Sequence, residues 1–429
     1  MAYATGVSSA PTTEFFRHIG AGEFEFGLLG GLPLVMISLQ FAGAIAAGRL
    51  RRRKKLFMVS HIASRLAYLP IAFIPLLFPS ARLAFTLPLM IGLVALSSAM
   101  TNLGSPSWFS WMADLIPRRV LNHYWGVRQR WMFAVWTAAS LIITFLTLAW
   151  APPVTVLFPV LVTVAVALGV TDILLFAKVK EPENLTTGSR ESLDVLIEPF
   201  RHREYRSFLI ASAAETAAIM MAASFMQIYV LKELGLPLWQ VTLIWCVYGV
   251  GNAIASPMWG RLADRHGHKP IMVVCMAFKP LAAAVFAVIT KESALWVLPV
   301  FFLLDSSWNA GISVARNGYM LKIAPRENRS MFVAAITGIT GITAGLATIA
   351  GGWYLKTAHG LTFALVGHDW SGYQILFLSS ALLRVLCLFL TVSVREPKSS
   401  PPVHLVQDMA DMLTSRLAKF PVGFYRRWR

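Results

Sequence analysis

Residues 260–269 read GRLADRHGHK, a polar turn with two glycines, one aspartate and three Lys or Arg. The turn lies between two almost uninterrupted apolar runs, 239–259 and 270–290. At about 1.5 Å rise per residue, each run is long enough to cross a ~30 Å hydrocarbon core as a helix. A short basic turn between two such runs is the join of a membrane helical hairpin, so the fold class is all-α and polytopic. The pattern repeats outward in both directions. Apolar runs fill 294–316, 331–355 and 373–394 on one side, and 207–230, 154–177, 131–150, 83–112, 56–79 and 26–48 on the other. That makes eleven full spans. The first nineteen residues, MAYATGVSSAPTTEFFRHI, are too short and polar for a twelfth and lack the basic start of a signal peptide. They are expected to be the end of a first span whose front portion is absent.

Composition and charge agree with this map. Of 429 residues, 56% are apolar and 14% charged, against roughly 25% charged in a soluble domain. The net charge of +17 would point to nucleic acid in a soluble protein, but its distribution removes that partner. With alternate loops on alternate sides, one side collects thirty Lys and Arg and the other only four. By the positive-inside rule, the basic side, with the C-terminus, is cytoplasmic. The expected setting is the plasma (cytoplasmic) membrane, the inner membrane of a bacterial cell, with an anionic inner leaflet against the basic side. Cys246, Cys275 and Cys387 sit in apolar runs without ligand spacing, so neither a disulfide framework nor a metal site is expected. No H-E-x-x-H or G-x-S-x-G constellation occurs, so an enzyme is not expected, and no cofactor either.

The stretch KVKEPENLTTGSRESLDVLIEPFRHREYR, 178–206, mixes both charge signs with Pro, Ser and Thr and reads as a hydrated linker. It divides the chain into an N-terminal transmembrane bundle, 1–177, and a C-terminal one, 207–395. A tail, 396–429, follows. Within the tail, Val403 to Phe420 carries apolar residues at helical spacing before the chain ends FYRRWR, the pattern of an amphipathic helix on an anionic leaflet.

The two halves repeat. Gly48-Arg49-Leu50 followed by Arg51 to Lys55 corresponds to the turn at 260–269, and WMADLIPRR (111–119) aligns with YMLKIAPRE (319–327) at an offset of 208. The turn GRLADRHGHK resembles the signature loop of the major facilitator superfamily, with Gly260, Leu262, Asp264, Arg265, Gly267 and Lys269 in place. That resemblance implies two six-helix bundles related by a pseudo-two-fold axis, here with the first helix truncated, which rock about a midplane site. It also implies a gating role for Gly260, Asp264, Arg265, Gly267 and Lys269, with Asp264 facing the region around Arg128, and for Arg329 in the related loop PRENR. The first-half loop is shorter and lacks both the Asp and the second Gly, and Leu121 replaces the Arg, so gating contacts are expected to be one-sided.

Ionisable groups at membrane depth are costly unless paired or hydrated, which makes each a functional candidate. Arg65, Glu215, Lys279, Asp305 and Arg384 lie about halfway along their spans. Glu215, on a helix that the resemblance places at the cavity, is the preferred proton-coupling carboxylate and Asp305 the second. Lys279 and Asp305 equally fit a structural ion pair, and Glu215 could pair with Arg384. Arg65 could snorkel, bond carbonyls or face an anionic substrate. Asn102, Trp308 and Asn309, with Trp108, offer hydrogen bonds and flat surfaces for a solute or, equally, for helix packing. The expected function is a secondary, ion-coupled transporter of a small-molecule substrate, acting as a monomer with a coupling proton. A facilitative uniporter and a transport-inactive receptor or scaffold are the alternatives.

Overall fold

The computed structural model describes residues 2–77, 83–116, 121–182, 198–324, 329–365, 368–397 and 399–411. Eleven helices among them are long and apolar enough to cross a membrane, from Glu23–Arg49 to Gly372–Ser393. The first half contains α1 (Ala2–Val7), α2 (Ala10–His18), α3 (Glu23–Val35), α4 (Gln40–Arg49), α5 (Lys54–Leu66), α6 (Tyr68–Leu77), α7 (Leu83–Leu115), α8 (Leu121–Ala149) and α9 (Val154–Leu175). The second contains α10 (Arg203–Ala223), α11 (Met226–Lys232), α12 (Leu238–His266), α13 (His268–Val288), α14 (Lys291–Ile323), α15 (Arg329–Thr357) and α16 (Gly372–Ser393). A further helix, α17, covers 402–411 in the tail, and the rest of the expected amphipathic helix lies outside the described residues.

Local chemistry explains the breaks. Pro33 inside α3 removes a donor and crowds the preceding turn, and the helix tightens into a 3-10 turn at Met36–Leu39 before α4 resumes. Gly267 adopts φ +90, ending α12 and starting α13 with no intervening loop, a conformation open to glycine at little cost. The opening residues are not one helix end as expected but two short helices, separated at Ser8-Ser9. Ser9 is the extended N-cap of α2, and Pro11 follows in its first turn. In the second half the corresponding break falls at Ser224-Phe225, between α10 and α11. A two-stranded hairpin, β1 (Thr362–Leu365) antiparallel to β2 (His368–Ser371), joins α15 to α16.

Helix packing repeats between the halves. Neighbours α5 and α7 match α13 and α14, α5 and α9 match α13 and α16, and α1 and α9 match α10 and α16. The two main contacts between halves, α3 with α15 and α8 with α12, exchange under the same correspondence, which is two-fold pseudo-symmetry. Large apolar side chains such as Phe85, Ile254, Trp296 and Phe389 point outward, as a lipid-facing surface requires.

The core is distributed unevenly along the bundle axis. At the end away from the basic loops, one cluster joins both halves, with Phe15, Phe16 and Phe158 in the same body as Phe225, Phe286 and Phe377. At the basic end there are two clusters. One holds Phe57, Trp108 and Trp111, the other Tyr205, Phe208, Trp259 and Tyr319, with Phe41 the first-half residue packed on the latter. The halves are therefore closed together at one end and parted at the other.

Candidate functional site

Two buried side chains, Lys279 and Asp305, and two half-buried ones, Asn309 and Tyr248, form a closed network in the second half. Lys279 Nζ on α13 donates to Asp305 Oδ1 at 2.7 Å and to Asn309 Oδ1 at 3.0 Å, both on α14. Asn309 Nδ2 in turn donates to Asp305 Oδ2 at 3.0 Å and to the Tyr248 hydroxyl at 2.5 Å. Asp305 and Asn309 sit one helical turn apart, so α14 presents both to the same lysine. Lys279 is only 2% exposed and the network satisfies it with two acceptors, the condition under which a buried cation is tolerated. Arg384 on α16 does not join Glu215; it donates to the backbone carbonyls of Lys279 at 3.0 Å and Ile219 at 3.3 Å. Trp308 stacks on Phe278 with ring centroids 5.1 Å apart and meets Phe301 edge-on, which places it in the packing between α13 and α14.

Glu215 is held differently. It is buried on α10, its Oε1 has no hydrogen-bond partner, and the nearest cation contact is Arg316 Nη2 of α14 at 3.8 Å. Arg316 also donates to the Thr216 hydroxyl at 3.3 Å. Arg316 was overlooked in the sequence because it stands at the end of its apolar run rather than within it. Arg65 lies with its guanidinium 4.6 Å from the Tyr3 ring centre, a cation–π contact, and Asp172 on α9 attracts it electrostatically. Asn102 accepts from Gln40 Nε2 at 2.9 Å and donates to the Ser98 carbonyl at 2.9 Å, tying α7 to α4. Arg128 covers the Trp108 ring at 4.8 Å.

Between the halves lies a cavity of about 420 Å³, at the two helix breaks. Its polar lining comes from Ser8, Ser9, Thr12 and Thr13 in the first helix pair, Ser98 on α7, and Ser224 and Gln227 in the α10–α11 pair. Phe16, Phe26 and Tyr68 supply apolar walls. The Thr13 hydroxyl donates to Gln227 Oε1 at 2.7 Å and so bridges the halves. None of these hydroxyls was singled out in the sequence. The one usable signal is S-A-P-T-T, a helix-start pattern inside what otherwise reads as a continuing helix.

The turn at 260–269 is held from within its own half. Asp264 is exposed and makes no ion pair or hydrogen bond among the described residues, so it does not reach the region around Arg128 in this conformation. Gly260 has open space where a side chain would sit. Arg265 and His266 both meet Asp408 of α17 at 2.8 Å. Glu396 caps the start of α13, accepting from the backbone amides of His268 at 2.8 Å and Lys269 at 2.7 Å, from His268 Nδ1 at 3.0 Å and from Lys322 Nζ at 2.8 Å. Burial alone would push the Glu396 carboxyl up, but the His268, Lys322 and Lys269 hydrogen bonds outweigh it and hold the group at about 2. A side chain at Gly267 would meet Ser399 and Glu396 at 3.0–3.2 Å, so the turn also needs glycine for space. The side chain of Arg329 lies outside the described residues.

Contrary to the expected one-sidedness, the first half has its own clamp. Glu181 Oε1 accepts from the Lys54 amide at 2.8 Å, as Glu396 does from Lys269, and Arg53 pairs with Asp114 at 2.5 Å while also bonding Ser110. Trp111 Nε1 donates to the Lys180 carbonyl at 3.2 Å, and its repeat mate Tyr319 donates to the Arg395 carbonyl at 2.7 Å. The sequence signal was present and overlooked: Val179-Lys180-Glu181-Pro182 and Val394-Arg395-Glu396-Pro397 end the two halves alike.

These observations meet in a comparison with known proteins. The family profile of the Major Facilitator Superfamily matches residues 208–425, half of the chain. The chain belongs to the major facilitator superfamily. It is thus an integral membrane transport protein, with a small-molecule substrate and no enzymatic reaction. No curated protein sequence matches it significantly. Among solved structures, a variant of the nucleoside transporter NupG is similar with a TM-score of 0.71 at 13% identity, over 92% of this chain and 96% of that one. The D-xylose-proton symporter is similar at 0.68 and 15% identity, over 93% and 95%. A bacterial homologue of the human lysosomal transporter Spinster, in an inward-facing and occupied conformation, reaches 0.65 at 12%, over 92% and 93%. At these identities the likeness is one of fold, and it covers the first half as well, where the profile does not reach.

Proposed function

We propose that this major facilitator superfamily protein is a proton-coupled secondary transporter of the cytoplasmic membrane, and that Glu215 is its coupling carboxylate. The residues 1–177 and 207–395 act as the two rocking bundles, and the thirty-to-four bias of basic residues supports a cytoplasmic C-terminus. The parted basic end then makes this the inward-facing conformation. The observation that carries the coupling reading is the state of Glu215: a buried carboxylate, one oxygen without a hydrogen bond, facing a cation at 3.8 Å rather than at contact distance. A buried ionisable side chain at membrane depth that stands outside the Lys279 network is the candidate a coupling role calls for. Asp305, tied to Lys279 and Asn309, is read as structural.

Purified protein in liposomes tests this. Radiolabelled D-xylose, named for one protein of the same fold, and uridine, chosen as a nucleoside because another is named a nucleoside transporter, serve as probes of uptake under an imposed pH gradient. Glu215→Gln is expected to abolish accumulation driven by the gradient while exchange of internal for external solute continues. Gradient-driven accumulation by the variant at the wild-type level overturns the role of Glu215. Equilibration without any response to the gradient in the wild type points to a facilitative uniporter, and no flux to a transport-inactive receptor.

A further inference from the structure

We infer that the solute is an uncharged, hydroxyl-rich small molecule, bound in the cavity at the paired helix breaks by Ser9, Ser98, Ser224 and Gln227. This rests on the transport reading above and specifies its substrate class, for which the sequence offered only an anion facing Arg65 as one of several readings.

The argument begins with where the charges are. Four cations stand at or near membrane depth, and every one is engaged away from the cavity. Lys279 is bonded to Asp305 and Asn309, Arg384 to two backbone carbonyls, Arg65 lies over Tyr3, and Arg316 faces Glu215. Among the described residues, no Lys, Arg, Asp or Glu lines the 420 Å³ space between the halves. An ion entering it would lose hydration without gaining a counter-charge, a cost of several kcal/mol for any charged group away from water. A neutral solute escapes that cost provided its polar groups find partners.

Partners are available on both walls. The Ser9 hydroxyl is buried without a hydrogen bond, and Gln227, whose oxygen takes the Thr13 hydroxyl, has an amide nitrogen with no partner among the described residues. Ser98 comes from α7 and Ser224 from the α10–α11 break, so a ligand reaching all four is held by both bundles at once. The spread matters for mechanism. A solute that draws hydroxyls from each half favours the conformations in which those halves stand close, which is differential binding between states. The Phe16, Phe26 and Tyr68 walls suit the carbon faces of a sugar or a nucleoside, and the volume is in the range of small-ligand pockets.

Equilibrium binding to the purified full-length protein in lipid nanodiscs separates this from transport and coupling, since it needs neither flux nor gradient. The probes are D-xylose and uridine, each paired with an anionic analogue, D-gluconate and uridine 5′-monophosphate. Binding of D-xylose identifies a free sugar and binding of uridine a nucleoside. In either case the anionic partner is expected to bind at least tenfold more weakly. Gln227→Leu and Ser98→Ala should each weaken the neutral probe about five- to tenfold, the loss of one hydrogen bond to a buried polar group. Arg65→Met should leave affinity within twofold. Should Gln227→Leu fail to fold, Ser98→Ala on the opposite wall carries the test. The inference is overturned if an anion binds as tightly as its neutral partner, if neither neutral probe binds at 20 mM, or if both wall variants bind like wild type. Loss of uptake in Glu215→Gln with binding intact concerns coupling alone.

Discussion

The pair Lys279 and Asp305 offers the sharpest test of which buried charges are structural. Removing the carboxylate in Asp305→Leu leaves the Lys279 ammonium, 2% exposed, with only the amide oxygen of Asn309 at 3.0 Å. At the observed 2.7 Å and an effective dielectric of about 20, the Coulomb attraction lost is roughly 6 kcal/mol. The desolvation already suffered by both charges cancels part of the pair's net worth, but breaking it from one side leaves an uncompensated buried ion and costs about 3–5 kcal/mol. Lys279→Met should cost nearly as much, since Asp305 then keeps only the Asn309 amide at 3.0 Å. The double variant removes both charges, and Asn309 keeps its bond to Tyr248, so it should return to within about 1 kcal/mol of wild type. Unfolding of the four proteins in one detergent, read as a double-mutant cycle, is thus expected to give a coupling of at least about 5 kcal/mol, the two single losses less the small loss of the double variant. Uptake by liposomes should recover in the double variant along with stability. Additive losses, or a double variant that folds like wild type yet carries no solute, would refute the structural reading and return Asp305 to the transport machinery.

Three further outcomes follow from the clamps and the seam. Glu396→Gln should lower stability at neutral pH by about 3 kcal/mol, the linkage value of a carboxyl depressed from about 4.5 to about 2. Because the group is depressed in the folded state, this difference from wild type should be full above pH 4.5, shrink as the pH falls and vanish near 2, which melting curves across that range will show. Gly31→Ala places a Cβ 2.6 Å from the Gly345 carbonyl oxygen and from Ile349 Cγ1, so the α3–α15 crossing must widen; overpacking of this kind costs about 1–3 kcal/mol, read as a lower melting temperature. Asp264→Asn, at an exposed position without partners, should leave melting within about 0.5 kcal/mol. It should nevertheless increase maleimide labelling of a cysteine placed at the basic mouth, since the resemblance of its turn implies that Asp264 finds a partner when that mouth closes.

What the sequence revealed followed the strength of the physical signal. Hydrocarbon thickness forces long apolar runs and basic side preference forces charge asymmetry, so eleven spans were legible in number and order, with ends displaced by several residues. The break at Ser8-Ser9 was not, because small residues in a short helix leave the hydropathy unchanged and only the S-A-P start marks it. Ionisable residues drew attention because each is expensive, and Lys279 with Asp305 was rightly seen as able to pair. The hydroxyls of the cavity were invisible for the opposite reason: a serine costs little in a membrane helix and can bond its own preceding turn, so its presence predicts nothing until two broken helices bring several together. Arg316 and Glu396 escaped because they stand at the ends of spans, where charge is ordinary and only contacts distinguish a clamp from a solvated side chain.

The placement of these clamps argues for motion of each half as a unit. Glu396 binds α13 and α14 from the end of α16, and Glu181 binds α5 from the end of α9, so both act within a half, and the Glu396 side chain is fully buried. Across the halves, in contrast, the ion pair at the closed end joins Glu23 to Lys232 at 2.5 Å, with the lysine 33% exposed, and His359 adds a contact at 3.5 Å. A partly exposed pair contributes about 1 kcal/mol or less, whereas a buried carboxylate with four donors contributes several times that. Among the polar contacts, the pair that crosses the closed end is therefore weaker than the clamp that locks the second bundle. The glycine crossing of α3 and α15 and its symmetry mate, where Gly249 of α12 abuts the Trp136 ring of α8, supply the two lines along which rigid halves can tilt. A solute bonded to both walls of the cavity would add to the few polar contacts across that gap, and a binding energy that differs between the two conformations shifts which end is open.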